Sequence, residues 1–226
     1  MTTKTMMTSI TTEPMIIRDT ITKEEINQMP RVGFTGSIRV VETPQDIERA
    51  VAYLRTFPAL GIDTETRPSF KRGQNYQVAL LQVATDDVCY LIRLCKSGLT
   101  LPVIQLLESP DILKIGLSLR DDFMMLQKRS PFQPRHYVEL QEHACALGIQ
   151  EKSLQKIYAI LFGQKISKAQ RLSNWEADTL SHPQQEYAAI DAWACLHIYH
   201  KLEELRRTGD CTIQKTNKEE ICTESI

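Results

Sequence analysis

The stretch Gly61-Ile62-Asp63-Thr64-Glu65-Thr66 follows the apolar residues Ala59 and Leu60, and the rest of the chain is best interpreted from it. In a β-strand successive side chains alternate between two faces, so Asp63 and Glu65 share one face. Two carboxylates on one face of a core strand are costly unless a cation compensates them, and a divalent metal with oxygen ligands is the simplest candidate. The alternative is the polar end of a strand that runs into a loop. The hexapeptide alone leaves both interpretations open.

The segments around this strand predict an α/β domain with a mixed sheet. Residues 78–84 and 88–94 are nearly all apolar and follow after short connections, which is typical of an antiparallel meander. A short strand at 112–116 and a helix from 119 to about 128 then introduce strand–helix alternation. We therefore expect three antiparallel strands followed by parallel strands, flanked by helices. Further predicted elements are strands at 37–41 and 138–140 and helices at 23–29, 43–57, 101–108, 141–147, 153–161 and 183–207.

The length of 226 residues favours one domain with flexible ends. We divide the chain into an N-terminal arm (residues 1–36), partly disordered and without clear periodicity up to about residue 22, a catalytic domain (37–207) and a C-terminal tail (208–226). The tail is polar and mixed in charge, and we expect it to be largely disordered.

Composition excludes several classes of protein. The net charge of −1 argues against tight binding of nucleic acid by bulk electrostatics, although a local basic groove is compatible with it. Six cysteines form no C-x-x-C pair, which fits a reducing compartment, and the cytoplasm is the default. The histidine and cysteine spacing does not suit a zinc hydrolase. No apolar segment approaches the ~20 residues that span a membrane, and the N-terminus does not resemble a signal peptide.

Acidic residues occur at two further places where a core pattern does not require them. Asp121 and Asp122 fall in the first turn of the helix that begins near residue 119, where acids also favour the helix dipole. Tyr187 and Asp191 are four residues apart in the last helix and so share a face. An aspartate among Ala188, Ala189, Ile190 and Ala192 is costly unless it is paired or metal-bound. An arginine or a backbone N–H could also satisfy it.

Taken together, these motifs resemble the DEDDy 3′–5′ exonucleases, which are ribonuclease D-like and proofreading-type nucleases with a ribonuclease H-like fold. The resemblance is strongest to the exonuclease domain of the Werner syndrome helicase and its stand-alone relatives, and it covers roughly residues 38–205. It rests on Asp63-x-Glu65, Asp122 and Tyr187-x-x-x-Asp191, in this order along the chain. It also rests on Arg72-Gly73, Val78-Ala79-Leu80-Leu81-Gln82, Cys89-Tyr90-Leu91, Lys114-Ile115-Gly116 and Ser173-Asn174-Trp175.

The resemblance implies hydrolysis of nucleic-acid phosphodiester bonds from the 3′ end, with release of nucleoside 5′-monophosphates. Two Mg²⁺ or Mn²⁺ ions are implied as cofactors, with Asp63 bridging both and with Glu65 and Asp191 holding the ion that carries the attacking water. Asp122 is implied to act at the second ion through water. Tyr187 is expected to orient the water, because a hydroxyl with a pKa near ~10 is a poor base at neutral pH. Thr64, on the opposite face of the strand, is expected in the core.

Binding a polyanion beside an acidic site requires nearby cations. The candidates for contacting the nucleic acid are Thr66, Arg67, Lys71, Arg72, Lys168, Arg171 and Trp175, with Lys114 and Lys165 as further cations and Phe70 and Tyr76 as further stacking groups. A core role for Trp175 is an equal alternative.

The predicted function is thus a metal-dependent 3′–5′ exonuclease, and the alternative is a non-catalytic nucleic-acid-binding module that retains the fold. The intact set of acids favours the enzyme. The substrate is a single strand or 3′ end of DNA or RNA, and the sequence does not distinguish the two. Because the chain contains no helicase segment, unwinding is expected to need a separate helicase.

Overall fold

A computed structural model describes residues 14–71 and 73–216 of the chain. Its centre is a six-stranded sheet, and a separate pair of short strands lies beside it. The strands are β1 (Met15–Arg18), β2 (Ser37–Val41), β3 (Ala59–Thr66), β4 (Val78–Ala84), β5 (Val88–Ile92), β6 (Leu113–Gly116), β7 (Tyr137–Glu139) and β8 (Cys211–Gln214). The helices are α1 (Lys23–Gln28), α2 (Pro44–Leu54), α3 (Leu94–Ser97), α4 (Leu101–Glu108), α5 (Leu119–Gln127), α6 (Leu140–Ala146), α7 (Leu154–Phe162) and α8 (His182–Thr208).

The order of strands in the large sheet is β2-β5-β4-β3-β6-β7. β3, β4 and β5 are antiparallel neighbours, whereas β6 runs parallel to β3 and β7 runs parallel to β6. β2 lies parallel to β5 at the other edge. The predicted mixed sheet is therefore confirmed, and β3 occupies its interior with β4 on one side and β6 on the other.

Helices cover both faces of the sheet, which explains why every residue of β4 and β5 is buried. On one face Leu60 and Ile62 of β3 pack in a core cluster with α2, α4 and α5. On the other face α8 crosses β3 and β4, and α6 and α7 pack against α8. Because side chains alternate along β3, this second face is the one toward which Gly61, Asp63 and Glu65 point.

Two short segments near the ends of the described chain, residues 15–18 and 211–214, are more ordered than their composition suggested. The expected disorder up to residue 22 and beyond 208 is wrong for β1 and β8, which form a parallel pair with Met15 opposite Cys211. Ile17 is fully buried in the cluster around α7 and α8, so burial of this apolar side chain stabilises the pair. Asp19 also links the two segments, because its carboxylate accepts hydrogen bonds from the backbone N–H and the hydroxyl of Thr216, each at 2.9 Å.

Within the described residues, no helix is both long and apolar enough to cross a membrane. The cysteines at positions 89, 95, 145, 195 and 211 are all free thiols. The division into arm, domain and tail remains a prediction at its outer limits, because residues 1–13 and 217–226 lie outside the described part of the chain.

Candidate active site

Three of the predicted carboxylates meet on the α8 side of the sheet. Asp63 and Glu65 extend from β3 and Asp191 from α8, and their oxygen atoms lie within 4.8 Å of one another. Asp191 is only 8% exposed, and the other two are half-buried. A group of hard anionic oxygens at this spacing suits Mg²⁺ or Mn²⁺ better than zinc.

Gly61 explains how α8 comes so close to the strand. A Cβ atom on Gly61 would lie 2.0 Å from the carbonyl oxygen of Ala192, so only glycine permits this approach. Gly61 and Asp63 share a face of β3, and Ala192 is next to Asp191 in the chain. The closest contact between strand and helix therefore lies beside the two aspartates. Ala188 and Ala189 are also fully buried, and their small side chains let α8 pack closely against the sheet.

Asp122 approaches β3 from the other face. It lies in the first turn of α5, and its Oδ1 accepts a hydrogen bond of 2.5 Å from the hydroxyl of Thr64. The expected core position of Thr64 is therefore wrong. Thr64 is half-buried at the end of the strand, where α5 brings a carboxylate that its hydroxyl can bind. Asp122 stays outside the group formed by the other three acids.

The two acids of α5 differ in their surroundings, since Asp121 is exposed and Asp122 is half-buried against Thr64. We predict that Asp122→Ala reduces strand degradation by about 10²-fold or more, because it removes a half-buried carboxylate whose charge acts on Asp63. Asp121→Ala is the matched control and should stay within about twofold of the wild type. A gel-based digestion assay measures both variants. Loss of activity in the Asp121 variant alone would reverse the assignment.

Burial and mutual repulsion raise the pKa values of the acids. Desolvation, followed by repulsion from Asp122 and Asp191, holds the pKa of Asp63 well above its ordinary value. Desolvation and the charges of Asp191 and Asp122 raise the pKa of Glu65 to about 9. Desolvation raises the pKa values of Asp122 and Asp191 to about 7. The site therefore holds its full negative charge at a high energetic cost, which a bound cation would lower.

Tyr187 lies one turn before Asp191 on α8, and its hydroxyl is next to that carboxylate. Desolvation and the charges of Asp191 and Glu65 raise the pKa of Tyr187 above its ordinary value. The phenol is therefore firmly protonated at neutral pH. Such a group can orient a water molecule by hydrogen bonding, and it is unsuited to remove a proton.

The acids open into a cavity of about 430 Å³. Lys168 and Arg171 line it, and their charges partly offset the raised pKa values of Asp191 and Glu65. These two predicted cations therefore share a cavity with the carboxylates. The sequence alone did not predict the part of the cavity wall that comes from the start of α7 and the residues around it. The one local sequence signal in this part is Ser153, which is the N-cap of α7. The wall residues not predicted are Leu117, Lys152, Ser153, Leu154, Gln155, Ile166 and Ser167.

Within the described part of the chain, the remaining predicted nucleic-acid contacts do not line this cavity. Arg67 and Lys71 line a separate cavity of about 480 Å³, together with Phe70 and Tyr76. Within it Arg67 lies over the ring of Tyr76 and pairs with Glu176 at 3.3 Å. Thr66 ends β3 at a register irregularity. Arg72 lies outside the described residues, so its predicted contact is not placed.

Two of the candidates are buried instead. Trp175 is fully buried in a core cluster with α8, and its ring centroid lies 6.0 Å from that of Tyr187. The predicted stacking of Trp175 on a base is therefore wrong, and the alternative prediction of a core role is correct. The apolar ring gains more by packing under α8 than by exposure to solvent. Lys114 is also fully buried, and its ammonium donates to the carbonyl oxygens of Ser109 and Ile112 at 2.6 and 2.8 Å. It cannot reach a strand bound at the surface.

Comparison with known proteins agrees with this arrangement. A family model described as 3′–5′ exonuclease matches residues 38–206, which include all of the acids above. The chain belongs to the 3′–5′ exonuclease family. Members of this family depend on divalent metal ions, and the carboxylate group on β3 and α8 fits that requirement.

Relatives within the exonuclease family cover most of the chain. Ribonuclease D of Gluconacetobacter diazotrophicus is 30% identical over 184 residues, which are 79% of this chain and 46% of the relative. The bifunctional 3′–5′ exonuclease/ATP-dependent helicase WRN of Mus musculus is 31% identical over 196 residues, 81% of this chain and 14% of the relative. The chain thus spans less than half the length of each of these two exonucleases.

A solved exonuclease structure shares the fold. The crystal structure of the EXO domain of Nibbler from Aedes aegypti superposes with a TM-score of 0.65 at 25% identity, covering 80% of this chain and 94% of that domain. The predicted resemblance to the DEDD exonucleases and their ribonuclease H-like fold is thereby confirmed.

Proposed function

We propose that this chain removes nucleotides from the 3′ end of a nucleic-acid strand by hydrolysing phosphodiester bonds, and that it releases nucleoside 5′-monophosphates. The observation that carries the proposal is the meeting of Asp63, Glu65 and Asp191 within 4.8 Å, beside Tyr187, in a cavity that two cations border. The acids alone would repel a phosphodiester. The arrangement makes chemical sense when divalent cations are held there.

The donor set fits Mg²⁺ or Mn²⁺ because all of the close ligands are carboxylates, whose pKa values are raised by burial and, for Asp63 and Glu65, also by repulsion from neighbouring acids. We propose that Asp63, Glu65 and Asp191 hold such ions, with Asp122 contributing from the Thr64 side. When bound, two ions would neutralise charge on the scissile phosphate and lower the pKa of the attacking water.

The other residues of the site position the reactants. Tyr187 donates a hydrogen bond from its protonated hydroxyl and so orients the attacking water. Lys168 and Arg171 attract the phosphate into an otherwise acidic cavity. Gly61 keeps α8 against β3, which holds the carboxylates in register.

Digestion of strands labelled at either end tests the proposal. DNA and RNA strands carrying a 5′ or a 3′ label are incubated with Mg²⁺, Mn²⁺ or EDTA, and the products are separated by size. We expect a ladder from the 5′-labelled strand, labelled mononucleotide from the 3′-labelled strand, and no reaction in EDTA. Degradation that persists in EDTA, or that begins only at the 5′ end, would refute the proposal. Strand binding without degradation would favour the non-catalytic binding module.

The same assay addresses the finer parts of the proposal. The comparison of DNA with RNA reports the preferred substrate, and Mg²⁺ against Mn²⁺ reports the preferred ion. Addition of a duplex with and without a helicase tests whether unwinding needs a separate partner. We also propose a reducing compartment such as the cytoplasm, which the free thiols support.

Metal ions should stabilise the protein more at high pH than at low pH. A carboxyl whose pKa is raised by folding contributes stability below its ordinary pKa, and the contribution is lost as the pH rises through the raised value. For Asp191 and Glu65 the raised values are about 7 and about 9. The metal-free melting temperature should therefore fall between pH 5.5 and 9. At 100 times its Kd a bound ion adds about 2.7 kcal/mol, or about 5–10 °C for a domain of this size.

Thermal melts with EDTA, Mg²⁺ or Mn²⁺ at pH 5.5 and 8.5 measure this difference. At pH 5.5 protons compete for the carboxylates, so the shift caused by the ions should be small. Asp121→Asn, which changes an exposed acid, is the control and should show the wild-type shift. Equal shifts at both pH values would contradict a carboxylate metal site.

A further inference from the structure

A strongly basic cavity lies next to the carboxylate cavity. It has a volume of about 580 Å³, and α1, the start of α7 and the connection before α8 form its walls. Six of its twelve lining residues are lysine or arginine and none is acidic. The six are Lys23, Arg31, Lys156, Lys165, Lys168 and Arg171. In a chain with a net charge of −1, this is a strong local excess of positive charge.

The basic cavity is continuous with the site of the acids. Lys168 and Arg171 line both cavities, as do Gln155, Ile166 and Ser167. The charges of Lys168 and Arg171 already act on Asp191 and Glu65. A chain of cations therefore leads from the acids through Lys165 toward Arg31 and Lys23.

The outer wall of this cavity is built by the N-terminal segment. Lys23, Asn27 and Arg31 precede residue 38, where the match to the family begins. The segment is held rigidly: Thr22 and Glu25 form a capping box at the start of α1, and Ile26 is buried against Ala159. The backbone of 30–32 also bonds to Lys165, with Lys165 N–H donating to Pro30 at 2.9 Å and Val32 N–H donating to Lys165 at 3.1 Å.

Most of these cations are available to a ligand. Among the described residues, Lys156 is the one of the six that forms an ion pair, at 2.9 Å from Glu151, and the ammonium of Lys165 donates to the backbone oxygen of Asn27. Lys23 and Arg31 are exposed. Asn27, Gln155 and Ser167 add neutral hydrogen-bonding groups between the cations. Lysine, arginine, amide and hydroxyl groups together are the set that proteins use to contact phosphates.

We propose that this cavity binds the phosphates of the substrate strand that lie 5′ to the nucleotide being removed, with Lys23 and Arg31 of the N-terminal segment as its outer contacts. The inference rests on the proposed function for the direction of the strand. A strand offers one phosphate per nucleotide, so a row of cations leading away from the acids matches it better than it matches a single anion. The N-terminal segment is then part of the nucleic-acid interface.

Strand binding can be measured without cleavage. Fluorescence anisotropy is recorded with single strands of 3 and 12 nucleotides that carry a phosphorothioate at the 3′ end, with Ca²⁺ replacing Mg²⁺. The wild type should bind the longer strand more tightly. In Lys23→Ala/Arg31→Ala the affinity for the 12-mer should fall about 10-fold, and the affinity for the 3-mer should change much less. The slope of log K against log salt should become shallower by about 1.4, since two phosphate contacts are lost at about 0.7 each.

Two further variants separate charge from structure. Lys23→Arg/Arg31→Lys keeps both charges and should restore the affinity for the 12-mer. Arg49→Ala removes an exposed arginine on α2 that lines none of these cavities, and it should bind both strands as the wild type does. Melting curves of all variants confirm the fold.

The outcome of the binding experiment does not depend on whether the wild type degrades a strand. Loss of length dependence in the double variant supports the inference even if the wild type degrades no strand. Unchanged length dependence and salt slope overturn it even if the wild type is an active exonuclease. An effect confined to the binding of a free nucleoside 5′-monophosphate would also overturn it, because the cavity would then hold a single nucleotide.

Discussion

Asp63→Asn is expected to reduce strand degradation by at least about 10³-fold while leaving the fold intact. The charges of Asp122, Asp191 and Glu65 all act on Asp63, so its carboxylate lies close to each of the other acids. The amide keeps the shape of the side chain and removes the anionic oxygen that a divalent cation requires. Single-turnover digestion of a 5′-labelled strand at saturating protein measures the loss independently of affinity.

The same change should stabilise the metal-free protein at high pH. Burial and repulsion raise the pKa of Asp63, so its ionised form destabilises the folded state more as the pH rises. Asn removes that cost, and the melting temperature at pH 9 in EDTA should exceed that of the wild type. Asp121→Asn is the control for both measurements. An active Asp63→Asn variant would show that Asp63 is not a catalytic residue. An inactive variant with a lowered melting temperature would show that the substitution disrupts the structure.

Gly61→Ala is expected to disturb both stability and activity. The added Cβ would lie 2.0 Å from the backbone oxygen of Ala192, so α8 must move away from β3. Overpacking of this kind costs about 1–3 kcal/mol or more. The movement of α8 also separates Asp191 and Tyr187 from Asp63 and Glu65. A displacement of about 1 Å in an active site lowers the rate by about 10²-fold.

Urea denaturation and the digestion assay measure the two effects of Gly61→Ala. Gly33→Ala is the matched control, since nothing lies within 4 Å of the Cβ position of Gly33 and both properties should stay near the wild type. A stable, fully active Gly61→Ala variant would show that the helix can lie farther from the strand without loss of function.

The central part of the fold was predictable because its signals are local. The apolar runs that became β4 and β5 are buried throughout, as continuous hydrophobic runs predict. Pro44 after the N-cap Thr43 predicted the start of α2. β1 and β8 were missed because each has only four residues and their pairing joins positions 196 residues apart. No local pattern marks such a contact.

Some features of the candidate site were also predictable from the sequence, and others were not. The resemblance to the DEDDy exonucleases predicted that Asp63, Glu65 and Asp191 share a metal site, and the structure brings the three carboxylates together. Their roles remain predictions. Sequence could not show that Trp175 is covered by α8, since an aromatic residue in a polar segment is compatible with stacking or burial. Thr64 was assigned to the core from strand alternation alone, and the position of α5 made it a partner of Asp122.

By itself, the sequence predicted the mixed α/β fold, because strand alternation and helical periodicity are properties of neighbouring residues. Its motifs, through their resemblance to the DEDDy exonucleases, predicted the family and the candidate acids. Only the tertiary structure decided which side chains share a cavity. The contact of α8 with Gly61, the hydrogen bond from Thr64 to Asp122 and the basic wall built by Lys23 and Arg31 all join residues distant in the chain. Such contacts depend on how whole elements pack, and packing is settled by the complementary shapes of buried surfaces.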